Sequence, residues 1–469
     1  MKKKEQDDNT LWLWQELEVA CGLATSGVNL GVNGISIDSR SVATGDLFIA
    51  LAGDPGPRFK SSGSQGLDGH DYIESAEKNG ATGLLISKLV DSGLPALIVK
   101  DTLDGLWQLG AAGRARMLGQ VVAITGSSGK TTLRQWTQEI LSAQASTHAS
   151  IGSLNNHWGV PLSLTRMPRD TKFGVFEVGM NHPGEISPLA SLVKPDIAVV
   201  LNVLPAHLGQ FESLNHIRTE KLSIADGLSP EGVLIMPDDL AKEASEMRKT
   251  ITFGFSQDAD IRGQIIANAS KSNDTRVEVT IDDSKYSYLL AGKGEHRVLT
   301  SLAAMAITHA LGADLDAAAK TLSNITTPAG RGNRIQFEKT VLVDDSYNAN
   351  PVSMAYAIEA LKSSASPRTI AVLGEMFELG DSSVAAHLEL QALCHGIDLV
   401  ITVGEGFKVW QEGVLAPGIW QHYATASDIP LDVLIVNPEV EILIKGSNKV
   451  FWVEGFVEKL KFFLEGSNG

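Results

Sequence analysis

The sequence predicts an α/β protein built from three domains, two of which contain mostly parallel sheets. Its 469 residues exceed what one hydrophobic core usually accommodates, since a domain averages about 150 residues. Short apolar segments alternate with helix-like stretches along most of the chain, which is the pattern of parallel strands covered by helices. A glycine-rich segment lies between one such strand and one such helix, so we expect an anion-binding loop there.

The first domain is predicted at residues 1–118 as a small α/β unit. Apolar runs separated by Gly, Pro and Asp predict strands, and two stretches have the character of helices. The second of these leads directly into another apolar run, and we place the boundary between them. The strands are expected at 47–51, 83–86 and 96–99, and the helices at 72–79 and 103–118.

The middle domain is predicted at residues 119–328, around a parallel sheet. Residues 275–281 alternate polar and apolar side chains, as expected of a half-exposed antiparallel strand. Parallel strands are expected at 121–124, 173–178 and 196–203, and helices at 131–143 and 216–227.

The third domain is predicted at residues 329–469 as a Rossmann-like, doubly wound sheet, because the alternation of strands and helices resumes after a turn at 328–334. Its strands are expected at 340–343, 369–373, 399–403, 433–436 and 450–453.

Composition excludes several classes of function. A net charge of −16 does not suit binding to nucleic-acid phosphates, which requires clustered cations. Cys21 and Cys394 lie in separate apolar segments, so neither a disulfide framework nor a cysteine-rich metal site is expected. The N-terminal residues lack the apolar stretch of a secretory signal, and no apolar run approaches the ~20 residues that span a membrane. We therefore expect a soluble cytoplasmic enzyme.

The glycine-rich segment, residues 123–132, reads Ala-Ile-Thr-Gly-Ser-Ser-Gly-Lys-Thr-Thr. Its glycines allow backbone N–H groups to turn inward around phosphate oxygens, and the helix that follows favours negative charge at its start. Lys130 is expected to bridge the β- and γ-phosphates of a nucleotide, and Thr131 to ligate Mg²⁺. Ile124 replaces the first glycine of the usual G-x-x-x-x-G-K-[ST] pattern, so the loop is a shorter variant. The loop alone does not distinguish a GTPase, a motor or a ligase.

Three further side chains are candidates for a magnesium site. Glu177 ends a predicted buried strand, and the carboxyl ends of parallel strands are where such sheets bind ligands. His207 also follows an apolar strand, although a histidine in that position is more often structural than a ligand. Lys221 has the pattern of a solvated helix residue.

Other segments of the chain resemble the Mur ligases, the amide-forming enzymes of bacterial peptidoglycan precursor synthesis. The resemblance covers nearly the whole chain, and the segments in the third domain are the most discriminating. They point to the members that add D-alanyl-D-alanine to UDP-N-acetylmuramoyl-tripeptide. The segments are 36–40, 45–51 and 67–72; the phosphate loop, 154–156, 159–161 and 176–186; and 344–351 (Asp-Asp-Ser-Tyr-Asn-Ala-Asn-Pro) and 373–380 (Leu-Gly-Glu-Met-Phe-Glu-Leu-Gly) with His387.

The resemblance implies an ATP-dependent ligase that forms a C–N bond, with ADP and phosphate as products. ATP would phosphorylate the free carboxylate of the UDP-sugar peptide, and the amine of the dipeptide would attack the acyl phosphate to give the UDP-muramoyl-pentapeptide. It also implies two Mg²⁺ ions and a carboxylated Lys221, whose carbamate would offer the oxygen ligands that Mg²⁺ prefers. The partners would be small molecules only, with no nucleic acid and no membrane insertion, and the protein would be a monomer.

The resemblance also implies roles for individual residues. The implied catalytic residues are Lys130, Glu177, His207 and Lys221, and the implied metal ligands are Thr131, Glu177, His207 and Lys221. The implied ATP-binding residues are Gly126, Ser127, Ser128, Gly129, Lys130, Thr131, Thr132, Asn155, Asn156, His296, Arg334, Asp345, Tyr347 and Asn348. The implied substrate-binding residues are Ser36, Asp38, Ser39, Arg40, Asp68, Gly69 and His70 for the sugar nucleotide, and Asn350 in the third domain, which would bind the dipeptide and close over ATP.

Several points stay open at this stage. Arg297 and Thr300 stand where the family usually has two asparagines that serve adenine, so they either replace those residues or base specificity is looser. Either Arg331 or Arg334 could reach ATP. A related ligase for another amino acid, a GTPase and a non-catalytic nucleotide-binding relative are the alternative functions. The 373–380 segment argues against the first, and the lack of an Asn-Lys-x-Asp segment argues against the second.

Overall fold

Three sheets of four or more strands follow one another along the described part of the chain and form a three-domain α/β architecture. The computed structural model describes residues 10–53, 59, 67–205, 210–211, 213–243, 249–266, 274–292, 294–327, 329–412, 414–415, 419–434 and 439–466. Within these ranges, none of the helices combines the length and the apolar character needed to cross a bilayer.

The first domain contains a small parallel sheet whose inner face is buried. Its elements are β1 (Trp12–Leu13), α1 (Trp14–Ala20), β2 (Gly31–Val32), β3 (Gly34–Ser36), β4 (Asp46–Ile49), α2 (Ile73–Lys78), β5 (Gly83–Ile86), β6 (Ala96–Ile98) and α3 (Thr102–Arg116). The strand order is β3-β4-β5-β6, and β1 pairs with β2 in a separate antiparallel ribbon. The predicted strands and helices of this domain are present, with ends that differ by one or two residues.

The middle domain is built around a long mixed sheet. Its elements are β7 (Gln120–Thr125), α4 (Lys130–Ser142), β8 (Thr147–Ala149), α5 (Gly159–Thr165), β9 (Phe173–Glu177), α6 (Ile186–Val193), β10 (Ile197–Val200), α7 (Leu214–Leu222), β11 (Val233–Pro237), β12 (Lys249–Gly254), β13 (Ile261–Ile266), β14 (Thr275–Ile281), β15 (Ser284–Leu290), α8 (Glu295–Ala310) and α9 (Leu315–Leu322). The strand order is β15-β14-β13-β12-β11-β10-β7-β9-β8. Strands β14 and β15 are antiparallel, which confirms the prediction for 275–281. The helix predicted at 216–227 ends at Leu222, and a 3₁₀ turn continues to Gly227.

The sheet register brings the ends of three middle-domain strands to one edge. Ile124 in β7 pairs with Glu177 at the end of β9, and Thr125 pairs with Val200 at the end of β10. Helix α4 then starts directly after the phosphate loop. Its buried face, which includes Trp136, packs into the main core of this domain. This packing fixes the loop at the carboxyl edge of the sheet, where α/β folds bind their ligands.

The third domain is a doubly wound sheet with one antiparallel edge strand. Its elements are β16 (Asn333–Phe337), β17 (Thr340–Asp345), α10 (Pro351–Lys362), β18 (Arg368–Gly374), α11 (Ser383–Leu393), β19 (Leu399–Val403), β20 (Trp420–Tyr423), β21 (Val440–Lys445), α12 (Asn448–Phe451) and α13 (Phe456–Gly466). The strand order is β16-β17-β21-β18-β19-β20. Strand β16 runs antiparallel to β17, and the other pairs are parallel.

Two predicted strands of the third domain are wrong where the structure describes their residues. Three observed strands, β16, β20 and β21, were not predicted. Val433 and Leu434 lie in a 3₁₀ turn, and the other two residues of the 433–436 run are outside the described residues. Val450 lies in helix α12. Ser447, whose backbone is extended, is the N-cap of this helix. The strand that occupies the middle of the sheet is β21.

The first domain docks on α5 of the middle domain through side-chain to backbone hydrogen bonds. Trp12 Nε1 donates to Thr165 O at 2.8 Å, and Trp107 Nε1 donates to His157 O at 2.9 Å. Arg166 Nε donates in the other direction, to Ile35 O at 2.7 Å. The first sheet is therefore tied to the helix that follows residues 154–156.

Candidate active site

The phosphate loop has the backbone shape of an anion-binding turn. Gly129 is the N-cap of α4 with φ of 78°, a conformation that glycine adopts without the steric penalty of a side chain. Lys130 Nζ donates to Gly126 O at 2.8 Å, so the lysine folds back over the loop. Burial lowers the pKa of the Lys130 ammonium; Glu177 opposes this effect, and Arg331 reinforces it.

A hydroxyl and a carboxylate lie side by side next to this loop. Thr131 Oγ1 donates to Glu177 Oε2 at 2.8 Å, and Asn155 Nδ2 donates to Glu177 Oε1 at 2.7 Å. Glu177 and Thr131 are both buried. The structure thus brings together three sequence-predicted residues from α4, β9 and the loop before α5.

Asn202, which the sequence did not single out, anchors the phosphate loop from the end of β10. Its Oδ1 accepts the N–H groups of Ser127 and Ser128, both at 3.0 Å, and its Nδ2 donates to Ser128 O at 3.0 Å. The Ser127 hydroxyl bonds to both the N–H and the C=O of Leu204, at 2.9 Å each. The side chain of one residue therefore fixes the peptide groups that the loop presents.

Lys221 is buried, and among the residues that the structure describes no carboxylate forms a hydrogen bond or ion pair with it. It is 2% exposed, and the hydrogen bond of its Nζ is to Met180 Sδ at 3.9 Å. The neighbouring Glu220 instead accepts the N–H groups of Gly184 and Ile186. Burial lowers the pKa of Lys221 well below its usual value; Lys130 adds to this effect, and Glu220 opposes it.

A cleft of about 1090 Å³ lies between the middle and third domains. Most of the sequence-predicted ATP residues line it, together with Asn350 and Glu177, whereas Gly126, Asn156 and Lys221 do not. Asn156 instead accepts the N–H groups of Trp158 and Gly159 at the start of α5. The predicted residues in the cleft are Ser127, Ser128, Gly129, Lys130, Thr131, Thr132, Asn155, Glu177, His296, Arg334, Asp345, Tyr347, Asn348 and Asn350.

Two residues of the third domain reach across the cleft to the middle domain. Tyr347 Oη donates to Ser153 Oγ at 3.0 Å, and Arg331 Nη2 donates to the same oxygen at 3.3 Å. The Arg331 guanidinium also lies 4.3 Å from the centre of the Tyr347 ring. Residues 344–351 therefore contact the segment that precedes Asn155.

Two other charged residues of this wall are paired within the third domain. Arg334 forms a bidentate ion pair with Glu441, at 2.6 and 2.9 Å. Lys445 Nζ donates to Asp345 Oδ2 at 2.7 Å and to Asn348 O at 3.2 Å. Burial raises the pKa of Asp345, and the nearby Lys445 opposes that shift. Of the two arginines left open by the sequence, Arg331 is the one that faces the middle domain.

The start of α8 forms another part of the cleft. The His296 ring stacks on Tyr356 of the third domain, with centroids 5.4 Å apart. Arg297 donates to Ala291 O at 3.0 Å and to Thr327 Oγ1 at 2.9 Å, and burial lowers its pKa to about 10. Thr300 Oγ1 donates to His296 O at 2.8 Å, so the helix backbone already accepts its hydroxyl proton.

The predicted residues of the first domain form a separate cluster outside this cleft. Asp38 pairs with the exposed Arg40, and Ser36 Oγ donates to Asp38 O at 2.9 Å. His70 Nε2 accepts the N–H of Ser87 at 3.0 Å, so its Nδ1 carries the proton that bonds to Asp68 at 2.6 Å. Ser39 and Gly69 lie in the two 3₁₀ turns that start at these segments.

His207 lies outside the described residues. In the ranges that the structure does describe, three or more His, Cys, Asp and Glu side chains do not come together in a group that could hold a metal ion. The oxygen donors next to the phosphate loop are those of Thr131 and Glu177.

These features define a phosphate-loop enzyme whose nucleotide cleft lies between two α/β domains. Residues 124–308 match the Mur ligase middle domain, and residues 330–447 match the Mur ligase glutamate ligase domain. The chain belongs to the Mur ligase family. This confirms the predicted family, the three-domain α/β fold and the class of reaction, which is ATP-dependent formation of a C–N bond.

The similarity to curated relatives extends over most of the chain. The chain is 36% identical over 431 residues to the UDP-N-acetylmuramoyl-tripeptide–D-alanyl-D-alanine ligase of Escherichia coli (strain K12). The match covers 90% of this chain and 92% of that protein. The chain is 32% identical over 395 residues to the ligase of the same name from Bacillus subtilis (strain 168), covering 82% of each chain.

Solved structures of MurF show the same architecture. MurF from Acinetobacter baumannii superposes with a TM-score of 0.81 at 30% identity, covering 96% of this chain and 98% of that one. MurF ligase from Thermotoga maritima, solved in complex with ADP, gives a TM-score of 0.78 at 29% identity and covers 92% and 98% of the two chains.

Proposed function

We propose that this chain joins D-alanyl-D-alanine to UDP-N-acetylmuramoyl-tripeptide at the expense of ATP. The names of relatives at 32 and 36% identity support this substrate pair. The observation that carries the proposal is the juxtaposition of Lys130, Thr131 and Glu177 in one cleft with the third-domain wall. That cleft can hold a triphosphate on one side and an incoming amine on the other.

In the first step the γ-phosphoryl group moves from ATP to the terminal carboxylate of the tripeptide. Both reactants are anions, so the chain has to neutralise charge and align the groups. Lys130 leaves Gly126 O and moves to the β- and γ-phosphates, and Arg331 is the second cation beside it. The N–H groups of the loop, held in place by Asn202, surround the phosphate oxygens.

The residues beside the loop fit a magnesium ion. Thr131 Oγ1 and Glu177 Oε2 lie 2.8 Å apart and are hard oxygen donors of the type that Mg²⁺ takes. An Mg²⁺ ion held by Thr131 and Glu177 would supply positive charge against the negative charge that develops on the transferred phosphoryl group. Asn155 holds the second oxygen of Glu177, which keeps the carboxylate directed at the loop. A second ion, with His207 and Lys221 as ligands, belongs to the same proposal.

Lys221 fits the proposed carbamate. A buried amine that donates to a sulfur atom and to no carboxylate in the described structure is available to react with CO₂ in its neutral form. The N–C bond forms with loss of one proton from nitrogen, and the product is an anionic oxygen ligand. The oxygens of the carbamate would serve as magnesium ligands, as the oxygens of a carboxylate side chain do.

In the second step the amine of the dipeptide attacks the acyl phosphate, and inorganic phosphate leaves. The contacts of Tyr347 and Arg331 with Ser153 hold the third domain over the loop, which limits the access of water to the acyl phosphate. Asn350 lines the same cleft and is proposed to contact the dipeptide.

We propose that residues 1–118 bind the sugar nucleotide through the segments that contain Asp38, Arg40 and His70, that 119–328 bind ATP, and that 329–469 bind the dipeptide. The cleft lies at the junction of the last two ranges. We also propose a cytoplasmic monomer.

The test is phosphate release from ATP in the presence of UDP-N-acetylmuramoyl-tripeptide. D-alanyl-D-alanine is compared with D-glutamate, L-alanine and no amine. Release that depends on both the sugar nucleotide and D-alanyl-D-alanine supports the proposal. Release with D-glutamate or L-alanine instead indicates a ligase for another step, and release that ignores both substrates indicates an ATPase.

A further inference from the structure

One lysine in the cleft has a different environment from its other cations. Lys449 lies in α12, directly after the central strand β21, and it lines the cleft. Its side chain is exposed, and Nζ lies 5.6 Å from the centre of the Phe377 ring. No hydrogen bond or ion pair holds this Nζ among the residues that the structure describes.

The other cations on the third-domain wall already have partners. Arg334 is paired with Glu441, and Lys445 is paired with Asp345. Arg331 bonds to Ser153 and lowers the pKa of Lys130, which places it on the triphosphate side of the cleft. Among the described cations of this wall, Lys449 is therefore the one that can accept an anionic group without first breaking a hydrogen bond or ion pair.

The backbone of the residue beside Lys449 is bonded to the residue that starts α12. Phe377 belongs to the 373–380 segment that the sequence singled out, and its N–H donates to Ser447 Oγ at 3.3 Å. Ser447 is buried, and both it and Phe377 line the cleft. The pair of Phe377 and Lys449 thus forms a small surface with an apolar face and one positive charge, facing the cleft.

The chemistry of the dipeptide requires such a surface. Its amine must approach the acyl phosphate, whereas its carboxylate is repelled by the triphosphate and has to be held away from it. An extended dipeptide spans at most about 7 Å, so its two charged ends need separate contacts in the cleft. A lysine can bind the carboxylate end of the dipeptide, and an apolar ring beside it can contact a methyl group.

We propose that Lys449 binds the terminal carboxylate of D-alanyl-D-alanine and so selects a free carboxyl group in the incoming amine. This inference rests on the proposed function and names the residue that recognises the substrate. Lys449 is a binding residue here and has no part in the transfer of the phosphoryl group.

The test compares D-alanyl-D-alanine with D-alanyl-D-alaninamide, which keeps the amine and lacks the carboxylate. For the full-length enzyme we expect kcat/KM to be at least about tenfold higher with the acid, the size of one charged hydrogen bond. Lys449→Met removes most of that preference by lowering kcat/KM for the acid, and leaves kcat/KM for the amide unchanged. Lys449→Arg restores much of the preference. Lys459→Met, an exposed lysine of α13 outside the cleft, behaves as the wild type.

The KM for ATP and the thermal unfolding temperature of each variant show that folding and the nucleotide site are intact. If Lys449→Met keeps the wild-type preference for the acid, the inference is wrong while the proposed function stands. If the wild type does not ligate D-alanyl-D-alanine at all, the proposed function fails, and the role of Lys449 fails with it.

Discussion

The guanidinium of Arg334 and the carboxylate of Glu441 form a two-bond ion pair inside the third domain, with distances of 2.6 and 2.9 Å. Glu441 is almost fully buried on β21, and Ser364 Oγ donates to it as well, at 2.5 Å. Both terminal nitrogens of Arg334 are therefore bonded to Glu441. Arg331, three residues earlier, contacts the middle domain instead.

We expect Arg334→Ala to lower the free energy of unfolding by about 3 kcal/mol, because it leaves the Glu441 carboxylate buried without its partner. The KM for ATP changes little in this variant. Arg331→Ala has the opposite profile, with near-normal stability and a raised KM for ATP. Denaturant unfolding and steady-state kinetics check both. A large rise in the KM for ATP in Arg334→Ala, with stability unchanged, would reverse the assignment of the two arginines.

Lys130→Ala is expected to lower ATP turnover by roughly a thousandfold or more, because the charge that neutralises the triphosphate is lost. Single-turnover phosphate release measures this effect. Lys78→Ala, which removes an exposed lysine of the first domain, is the control and leaves turnover unchanged. Normal ligation by Lys130→Ala would remove the phosphate loop from the mechanism.

Asn202→Ala is expected to raise the KM for ATP about tenfold, because the N–H groups of Ser127 and Ser128 lose their shared acceptor. Asn202→Asp keeps that acceptor but places a negative charge beside the triphosphate, so we expect a larger rise in the KM for ATP. The KM values for the sugar nucleotide and the dipeptide change little in either variant.

The matched control for Asn202 is Asn324→Ala, whose amide donates to Lys320 O at the end of α9. This variant removes an asparagine-to-backbone bond elsewhere and leaves the KM for ATP unchanged. Equal kinetics for Asn202→Ala and the wild type would mean that the loop holds its shape without this side chain.

Lys221→Ala is expected to be nearly inactive and to regain part of its activity with added formate or acetate, since a small carboxylate can supply the oxygens of the lost carbamate. The ligation rate is measured against carboxylate concentration, with chloride at equal ionic strength as the control. Failure of rescue in a variant that unfolds at the wild-type temperature would exclude the carbamate from the mechanism.

His387 gives the third domain a pH-dependent stability. Its Nδ1–H donates to Ser383 O at 2.7 Å, and its Nε2 accepts the N–H of Met376 at 3.0 Å, so the buried ring is neutral. Burial lowers its pKa below the ordinary value of about 6.5. The unfolded chain therefore takes up the proton first as the pH falls.

The stabilisation by neutral His387 is fully present above pH ~6.5 and is lost progressively as the pH falls below that value. We expect the unfolding free energy of the wild type to decrease between pH 7.5 and 5 more than that of His387→Gln. Denaturant unfolding at several pH values checks this. Parallel pH curves for the two proteins would contradict it.

Much of the fold was predictable because the middle-domain strands carry a local signal. The apolar run at the start of β7 and the polar-apolar alternation of β14 each follow from side chains within a few residues of one another. The pairing of Thr131 with Glu177 was predictable in outline. Glu177 ends β9, and Thr131 follows the loop at the carboxyl end of the parallel strand β7.

The elements that were missed depend on distant partners. Strand β21 contains Glu441 and Lys445, which are buried because they pair with Arg334 and Asp345, 107 and 100 residues away in sequence. A short apolar run such as 450–453 shows neither the hydrophobic periodicity of a helix nor that of a strand, so the sequence alone does not indicate which of the two it forms. The sequence did not indicate a role for Asn202, because its hydrogen-bond partners are backbone groups that only the folded sheet brings near it.

The position of β21 has a consequence for the order in which the protein forms during synthesis. This strand lies between β17 and β18 in space, although it follows both, as well as β19 and β20, along the chain. Until residue 445 has left the ribosome, β17 and β18 have no hydrogen-bonding neighbour between them, and the backbone N–H and C=O groups along these two edges remain unpaired. The middle domain, whose described strands end at Leu290, can complete its sheet well before that point. The nascent chain would therefore carry a finished phosphate loop for some time before the wall that closes over it can fold.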